Sequence, residues 1–207
     1  MALQCTGENL RHTFNRKTIF RDVSFSVAAG QSLLIAGRNG AGKSTLVKIL
    51  CGVLTPSAGR VRIEADDAGD AFAVQGRIGL VSPYLQVYEE FSAMENLHLS
   101  MALRGMRPDD VAARSLLVRM ALDPGRADAV RGFSSGMKQR LKYAMALIHR
   151  PSVLVLDEPM SNLDADGIAI VRTIMTEQCT RGILVVATND RTDCAAPDRE
   201  VDLNVQR

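Results

Sequence analysis

Tryptophan is absent from this 207-residue chain, and aromatic residues make up only 4% of it. Proteins that bind single-stranded nucleic acid stack its bases on aromatic side chains, so this composition argues against that function. The chain also has little excess charge of either sign: its formal net charge is +2, and its lysine and arginine residues are spread along the sequence. Such a chain lacks the basic field that attracts nucleic acid or a membrane surface. We therefore expect no nucleic-acid partner.

Cysteines and long apolar runs are few. The cysteines are far apart in the sequence, at Cys5, Cys51, Cys179 and Cys194. This spacing predicts neither a metal cluster nor a disulfide framework, and it is consistent with a reducing cytosol. Uncharged runs such as 183–189 fall well short of the roughly 20 apolar residues that a membrane helix needs. The first residues also lack the basic and then apolar build of a signal peptide. We expect a cytosolic protein with one globular domain.

The sequence does contain an alternation of strand and helix patterns. Apolar and polar residues alternate from Val23 to Val27, and the continuous apolar run 32–36 is typical of a strand buried on both faces. The patterns further predict a helix over 45–50, an edge strand over 59–64, an acidic turn over 66–70, and strands over 77–81, 153–156 and 183–187. Between 94 and 147 the period is helical. The chain is predicted to be an α/β protein with a helical insertion.

The most specific motif directly follows the apolar run 32–36. Residues 37–44 match the phosphate-binding loop pattern G-x-x-x-x-G-K-[ST], between a strand and a helix. Glycines let backbone N–H groups approach a phosphate, and the N-terminus of the following helix favours negative charge. In this pattern Lys43 reaches the β- and γ-phosphates, and the Ser44 hydroxyl ligates Mg²⁺. The predicted nucleotide-binding residues are Gly37, Asn39, Gly40, Ala41, Gly42, Lys43, Ser44 and Thr45.

Two acidic residues end the apolar strand 153–156. The strand carries Asp157 to the carboxyl edge of the sheet, where it can hold Mg²⁺, and Glu158 can polarise an attacking water. Alone, two acids at a strand end are explained equally well by an ordinary strand terminus. Together with the phosphate loop, they predict a site for ATP and Mg²⁺.

A third segment, 133–140, opens an apolar helix and lies between these two motifs. It resembles the signature segment of ATP-binding cassette (ABC) proteins, whose usual form is L-S-G-G-Q. Ser134 and Gly136 match that form, whereas the first, third and fifth places differ from it. A serine at a helix N-terminus is by itself an ordinary cap. The order of phosphate loop, helical insertion, signature and Asp-Glu pair carries the resemblance, which covers essentially the whole chain.

The resemblance implies roles for further residues. Phe14 stands where the family has an aromatic ring that stacks on adenine, although a core phenylalanine explains it almost as well. Residues 161–164 match the D-loop at the interface between two cassettes. Pro83 stands where the family has a glutamine, with Gln86 nearby but out of register. Asn189 replaces the switch histidine, and an amide can donate a hydrogen bond to phosphate but cannot carry a positive charge.

The fold that this resemblance implies is a single P-loop NTPase cassette of the α/β class, with a mixed-sheet core, an antiparallel β edge and an inserted helical subdomain. The core would comprise about residues 1–82 and 151–207, and the helical subdomain about 83–150. Glu158, Lys43 and Asn189 would be the catalytic residues. Because an isolated cassette holds half of each active site, Ser134 and Gly136 would act on ATP bound to a second copy.

The function implied is an ATPase that closes as a head-to-tail pair and powers integral membrane transporter subunits from the cytoplasmic face of the membrane. The segment 133–140 and the short chain look most like the haem exporter ATPases of cytochrome c biogenesis. A DNA-repair ATPase would need a longer insertion, and a translation-type protein would need two phosphate loops. An ATP-binding scaffold with little hydrolysis stays open as an alternative, because Pro83 and Asn189 both stand at sensing positions.

Overall fold

In the computed structural model of the chain, residues 3–65 and 76–205 are described, so the acidic turn predicted over 66–70 lies outside the described residues. The strands are β1 (Gln4–Phe14), β2 (Lys17–Ala28), β3 (Ser32–Ala36), β4 (Ala58–Glu64), β5 (Ile78–Val81), β6 (Val153–Asp157), β7 (Ile183–Thr188) and β8 (Arg199–Asp202). The α-helices are α1 (Lys43–Leu50), α2 (Ala93–Ala102), α3 (Asp110–Arg119), α4 (Ser135–Leu147) and α5 (Ala165–Arg181). Within the described ranges, no helix has both the length and the apolar character needed to cross a membrane.

A five-stranded parallel sheet, in the order β5-β6-β7-β3-β8, forms the centre of the molecule. Successive side chains of a strand point to opposite faces. Leu34 and Leu154 accordingly join one hydrophobic cluster, whereas Ile35 and Val153 join another. Both faces are covered, which is why the run 32–36 is continuously apolar and does not alternate.

Different elements cover the two faces of this sheet. Helices α2, α3 and α5 supply Leu97, Leu117 and Ile174 to the cluster on one face. The other face packs against α1 and a separate three-stranded antiparallel sheet, in the order β2-β1-β4, through side chains such as Leu46 and Phe20. The predicted α/β cassette with an antiparallel β edge and inserted helices is confirmed. The proposed division into a core and a helical subdomain stays a prediction.

The sequence pattern does not predict two of the strands, β1 and β8, and the structure shows why. The pairing of β1 shifts between Gly7 and Leu10, with Asn9 in the left-handed region at φ 47°, so its apolar residues do not alternate regularly. Strand β8 has four residues, of which only Val201 is buried. The run 32–36, by contrast, forms β3 with the predicted limits.

The parallel sheet brings four loops to one edge. Because β5, β6, β7 and β3 are parallel neighbours, their carboxyl ends lie side by side. Open parallel sheets bind ligands at this edge. The segments that begin at Gly37, Ser82, Glu158 and Asn189 are therefore neighbours, although they are far apart in the sequence.

Candidate functional site

A cavity of about 540 Å³ opens at the carboxyl edge of the parallel sheet. Its volume lies within the range of small-molecule sites. It is lined by Ile19, Asn39, Gly40, Gly42, Lys43, Ser44, Thr45, Pro83, Tyr84, Glu158, Ser161, Asn162 and Asn189. The structure thus places most of the predicted phosphate loop in one lining with Glu158 and Asn189.

Lys43 is a largely buried cation of this cavity, with 6% of its side chain exposed. Its Nζ lies 3.2 Å from Glu158 Oε1 and donates a hydrogen bond of 2.8 Å to the carbonyl of Gly37. A buried ammonium is stable only where acceptors surround it. Phosphate oxygens are acceptors of the same kind, so an anionic ligand can take the place of the Glu158 carboxylate.

Two glycines determine the shape of the loop around Lys43. Gly40 and Gly42 have φ angles of 77° and 104°, in the region that favours glycine. A Cβ atom on Gly42 would lie 2.6 Å from Ile19 Cγ2, so no side chain fits there. Gly42 is also the residue before α1, whose first N–H groups have no partners inside the helix. The loop and the helix start together present backbone donors suited to an anion.

Asp157 is buried at the end of β6, next in sequence to the lining residue Glu158. Its Oδ2 accepts a hydrogen bond of 3.3 Å from Ser82 Oγ, and its Oδ1 is buried with no hydrogen-bond partner among the described residues. Burial raises the pKa of this carboxyl, and the neighbouring Ser44 side chain opposes that rise. Hydroxyl and carboxylate oxygens are ligands that Mg²⁺ accepts, so Ser44 and Asp157 could hold this ion.

Glu158 stands in an uncommon backbone conformation, with φ 51°. Its N–H donates to the carbonyl of Ala187 at 2.8 Å, and its own carbonyl accepts from Ser161 Oγ at 2.8 Å. The main chain is therefore held on both sides, and the carboxylate, on a side chain 29% exposed, reaches Lys43.

Asn189 follows β7 and lines the same cavity as Lys43. The turn that carries it is held by Thr188, whose hydroxyl donates to Asp193 at 2.6 Å and accepts from the N–H of Asp190 at 3.0 Å. The main chain at Asn189 is thus held by the end of the strand and by this short hydrogen-bonded turn.

Other predicted site residues lie outside this lining. Phe14 ends β1, is 48% exposed, and contacts the His12 ring edge-on with 4.4 Å between ring centroids. Ser134 caps α4 by accepting a hydrogen bond from the N–H of Met137. Gly136 lies in the first turn of α4. Gly37, Ala41 and Asp157 are buried and are not lining residues.

The structure adds lining residues that the sequence analysis did not single out as ligands. Ile19 of β2 reaches the cavity, although no pattern distinguishes it from other strand residues. Tyr84 also lines the cavity, with the Lys48 ammonium 4.9 Å from its ring centroid. Gln86 instead lines a second cavity. Ser161 and Asn162 also line the cavity, whereas their match to the D-loop predicts a place at the interface between two cassettes.

Comparison with known proteins gives one family. A family model described as ABC transporter matches residues 20–161. The cytochrome c biogenesis ATP-binding export protein CcmA of Xanthomonas axonopodis pv. citri (strain 306) is 33% identical over 93% of this chain and 89% of its own length. The uncharacterized ABC transporter ATP-binding protein YybJ of Bacillus subtilis (strain 168) is 28% identical over 87% of this chain and 83% of its own.

Some relatives are longer than the matched region, and solved structures share the fold. The Nod factor export ATP-binding protein I of Bradyrhizobium diazoefficiens is 34% identical, and the match spans 62% of its length. A structure of an ATP binding subunit of an ABC transporter has a TM-score of 0.81 at 27% identity, covering 98% of this chain and 85% of that one. A bacterial Atm1-family ABC exporter with ATP bound also has a TM-score of 0.81, at 22% identity over 98% of this chain and 37% of its own.

Proposed function

The chain belongs to the ABC transporter family, whose ATP-binding cassettes hydrolyse ATP. We propose that it binds MgATP in the 540 Å³ cavity and powers a separate membrane subunit. The observation that carries the proposal is the contact of 3.2 Å between Lys43 and Glu158 inside this cavity. Phosphoryl transfer to water needs a cation that holds the phosphates and a group that orients the attacking water at the same γ-phosphate.

Nucleotide binding would use the phosphate loop and the hydroxyl and carboxylate below it. The N–H groups of residues 39–45 and the Lys43 ammonium would hold the phosphates. Ser44 and Asp157 would hold Mg²⁺, which fits the buried Oδ1 of Asp157, an atom with no hydrogen-bond partner in the described part of the chain. When bound, Mg²⁺ would neutralise charge on the phosphate oxygens.

Hydrolysis would begin with an exchange of partners at Lys43. When phosphate oxygens bind the Lys43 ammonium, the Glu158 carboxylate is released from its 3.2 Å contact with that ammonium. It can then accept a hydrogen bond from water. A carboxylate so placed polarises that water for attack on the γ-phosphate. Asn189, in the same lining, would donate a hydrogen bond to the γ-phosphate.

The active site would be completed by a second copy of the chain. Ser134 and Gly136 do not line the cavity of their own chain, which supports a role at the nucleotide of a partner. The Ser134 side chain is exposed at the start of α4, where helix N–H groups favour an anion. Phe14, half-exposed at the end of β1, would stack on adenine.

A second cavity, of about 310 Å³, supports docking of the membrane subunit. Its lining includes Val53 and Leu85, which are 69% and 40% exposed, beside the basic residues Arg104 and Lys142. Exposed apolar side chains rimmed by charge are typical of interaction sites. We propose that a cytoplasmic segment of the membrane subunit, apolar with acidic flanks, docks here. The cassette would then lie at the cytoplasmic face of the membrane, and its likeness to CcmA supports an exporter.

The proposal is tested by phosphate release from MgATP by the purified chain. We expect steady turnover that falls by about a hundredfold or more in the matched Glu158→Gln variant. Binding of MgATP with no release above that variant would instead favour the scaffold alternative.

Size-exclusion chromatography of Glu158→Gln with and without MgATP tests whether two copies of the chain pair, since hydrolysis cannot reopen the closed pair in this variant. A monomer in both runs contradicts a closed dimer.

Substitutions of Asn189 test its contact with the γ-phosphate. A preorganised donor at a site of developing charge is worth about 2.7–4 kcal/mol, so Asn189→Ala should lower kcat by a hundredfold or more on that scale. Asn189→His retains a donor and should keep or raise kcat, with little change in the Kd for ATP. Steady-state kinetics of the three proteins decide the matter. Equal kcat values would mean that Asn189 serves only as a turn residue at the strand end.

Substitution of Leu85 tests the docking surface. Leu85→Asp should prevent the membrane subunit from co-purifying in mild detergent, because a carboxylate would be buried against apolar side chains. Phosphate release by the isolated chain should stay within about twofold of wild type. Val205→Asp, which places the same charge at an exposed apolar residue outside this cavity, is the control. If both variants retain the membrane subunit equally, this cavity is not where it docks.

A further inference from the structure

Helix α4 contacts the segment that carries Glu158 at two points. In the middle of the helix, the Tyr143 hydroxyl donates a hydrogen bond of 2.9 Å to the carbonyl of Pro159. In its first turn, a Cβ atom on Gly136 would lie 3.1 Å from the carbonyl oxygen of Asn162. Gly136 and Tyr143 are about two turns apart, so they lie on the same face of the helix. This face of α4 therefore lies against the segment 158–162 at Pro159 and at Asn162.

The segment needs such support because both of its ends have unfavourable backbone conformations. Glu158 and Asn162 have φ angles of 51° and 60°. Left-handed conformations of residues other than glycine persist only where the surroundings hold them. Glu158, Ser161 and Asn162 also line the nucleotide cavity, so a shift of the segment would displace the carboxylate from its place beside Lys43.

The environment of Tyr143 is apolar, so a tyrosine there is unusual unless its hydroxyl makes a needed hydrogen bond. The side chain is fully buried in the cluster that also contains Leu156, with Met160 and Leu163 packed against that cluster. An apolar side chain could fill such a site without the cost of burying a hydroxyl. Burial raises the pKa of the Tyr143 hydroxyl, so it stays a neutral donor. Its acceptor is the carbonyl of the residue next to Glu158.

We propose that Tyr143 is a positioning residue for ATP hydrolysis: its bond to the Pro159 carbonyl holds the adjacent Glu158 in the orientation that hydrolysis needs. This inference rests on the proposed function, because it assigns the attack on ATP to Glu158. Helix α4 also begins at the signature residues Ser134 and Gly136. A movement of α4 on contact with the nucleotide of a second copy would thus reach the Glu158 of its own chain.

The test is Tyr143→Phe, which removes one oxygen atom and keeps the ring. We expect kcat to fall by about tenfold, because displacement of a catalytic group by a fraction of an ångström is costly to rate. The Kd for MgATP should stay within about twofold, since the phosphate loop is unchanged. In the nucleotide-free protein, hydrogen exchange of a peptide covering 158–164 should become faster, whereas that of α1 should not.

Two control variants separate positioning from a general loss of stability. Ile174→Val removes a methyl group from the same cluster, and Tyr88→Phe removes a hydroxyl from an exposed tyrosine. Neither should reproduce the drop in kcat or the faster exchange of 158–164. Unchanged exchange in Tyr143→Phe, or an equal fall of kcat in Ile174→Val, overturns the proposal. If wild type itself releases no phosphate, the proposed function fails, and the exchange measurement still decides whether Tyr143 holds the segment.

Discussion

Glu158→Gln is expected to reduce phosphate release by about a hundredfold or more, the scale of a lost general base. The amide keeps the size of the side chain but cannot take a proton from the attacking water. The Kd for MgATP should stay unchanged or decrease. The reason is that the 3.2 Å ion pair between Lys43 and Glu158, which an incoming phosphate has to replace, is absent in the variant. Phosphate release and calorimetry measure the two effects separately.

The control for this experiment is Glu177→Gln, the same chemical change at a surface residue. Glu177 pairs with Arg119 at 2.6 Å and lies in α5, apart from the cavity lining. Its turnover should match wild type, because an exposed ion pair contributes little. Turnover of Glu158→Gln within tenfold of wild type would contradict the assignment of Glu158 as the residue that polarises water.

Lys43→Ala should weaken MgATP binding by at least tenfold and abolish turnover at ordinary ATP concentrations. A charge-assisted hydrogen bond is worth about 1.5–3 kcal/mol, which corresponds to roughly 10- to 150-fold in Kd. A second cause acts in the same direction. Without the ammonium, the Glu158 carboxylate lies uncompensated beside the arriving phosphates. Calorimetric titration with MgATP measures the loss.

The double variant Lys43→Ala/Glu158→Gln separates these two causes. It should bind MgATP more tightly than Lys43→Ala alone, because the repulsive carboxylate has been neutralised. Arg181→Ala, which removes one positive charge from the exposed end of α5, controls for the change in net charge. If Lys43→Ala binds MgATP as tightly as wild type, the loop 37–44 does not hold the phosphates.

The phosphate loop and the acid pair were predictable because their chemistry is local. Strand β3, the loop and α1 are consecutive, so eight neighbouring residues, 37–44, contain the glycines, the lysine and the serine that a phosphate site needs. The apolar run of β6 likewise leads directly to Asp157 and Glu158. Binary pattern was also sufficient for the buried strands. It failed for β1, where a bulge breaks the period, and for β8, which is too short to show one.

Contacts between distant segments depend on the tertiary structure. The order of strands places Glu158 beside Lys43 and Ser82 against Asp157, and no local pattern contains that order. Which residues of neighbouring strands line the cavity depends on how the two sheets pack, and Ile19 is a lining residue whereas Phe14 is not. The bond from Tyr143 to Pro159 exists only because α4 packs against the segment that follows β6. The residues of the phosphate loop and the acid pair can thus be recognised from consecutive positions in the sequence, whereas the orientation of Glu158 depends on the packing of distant segments.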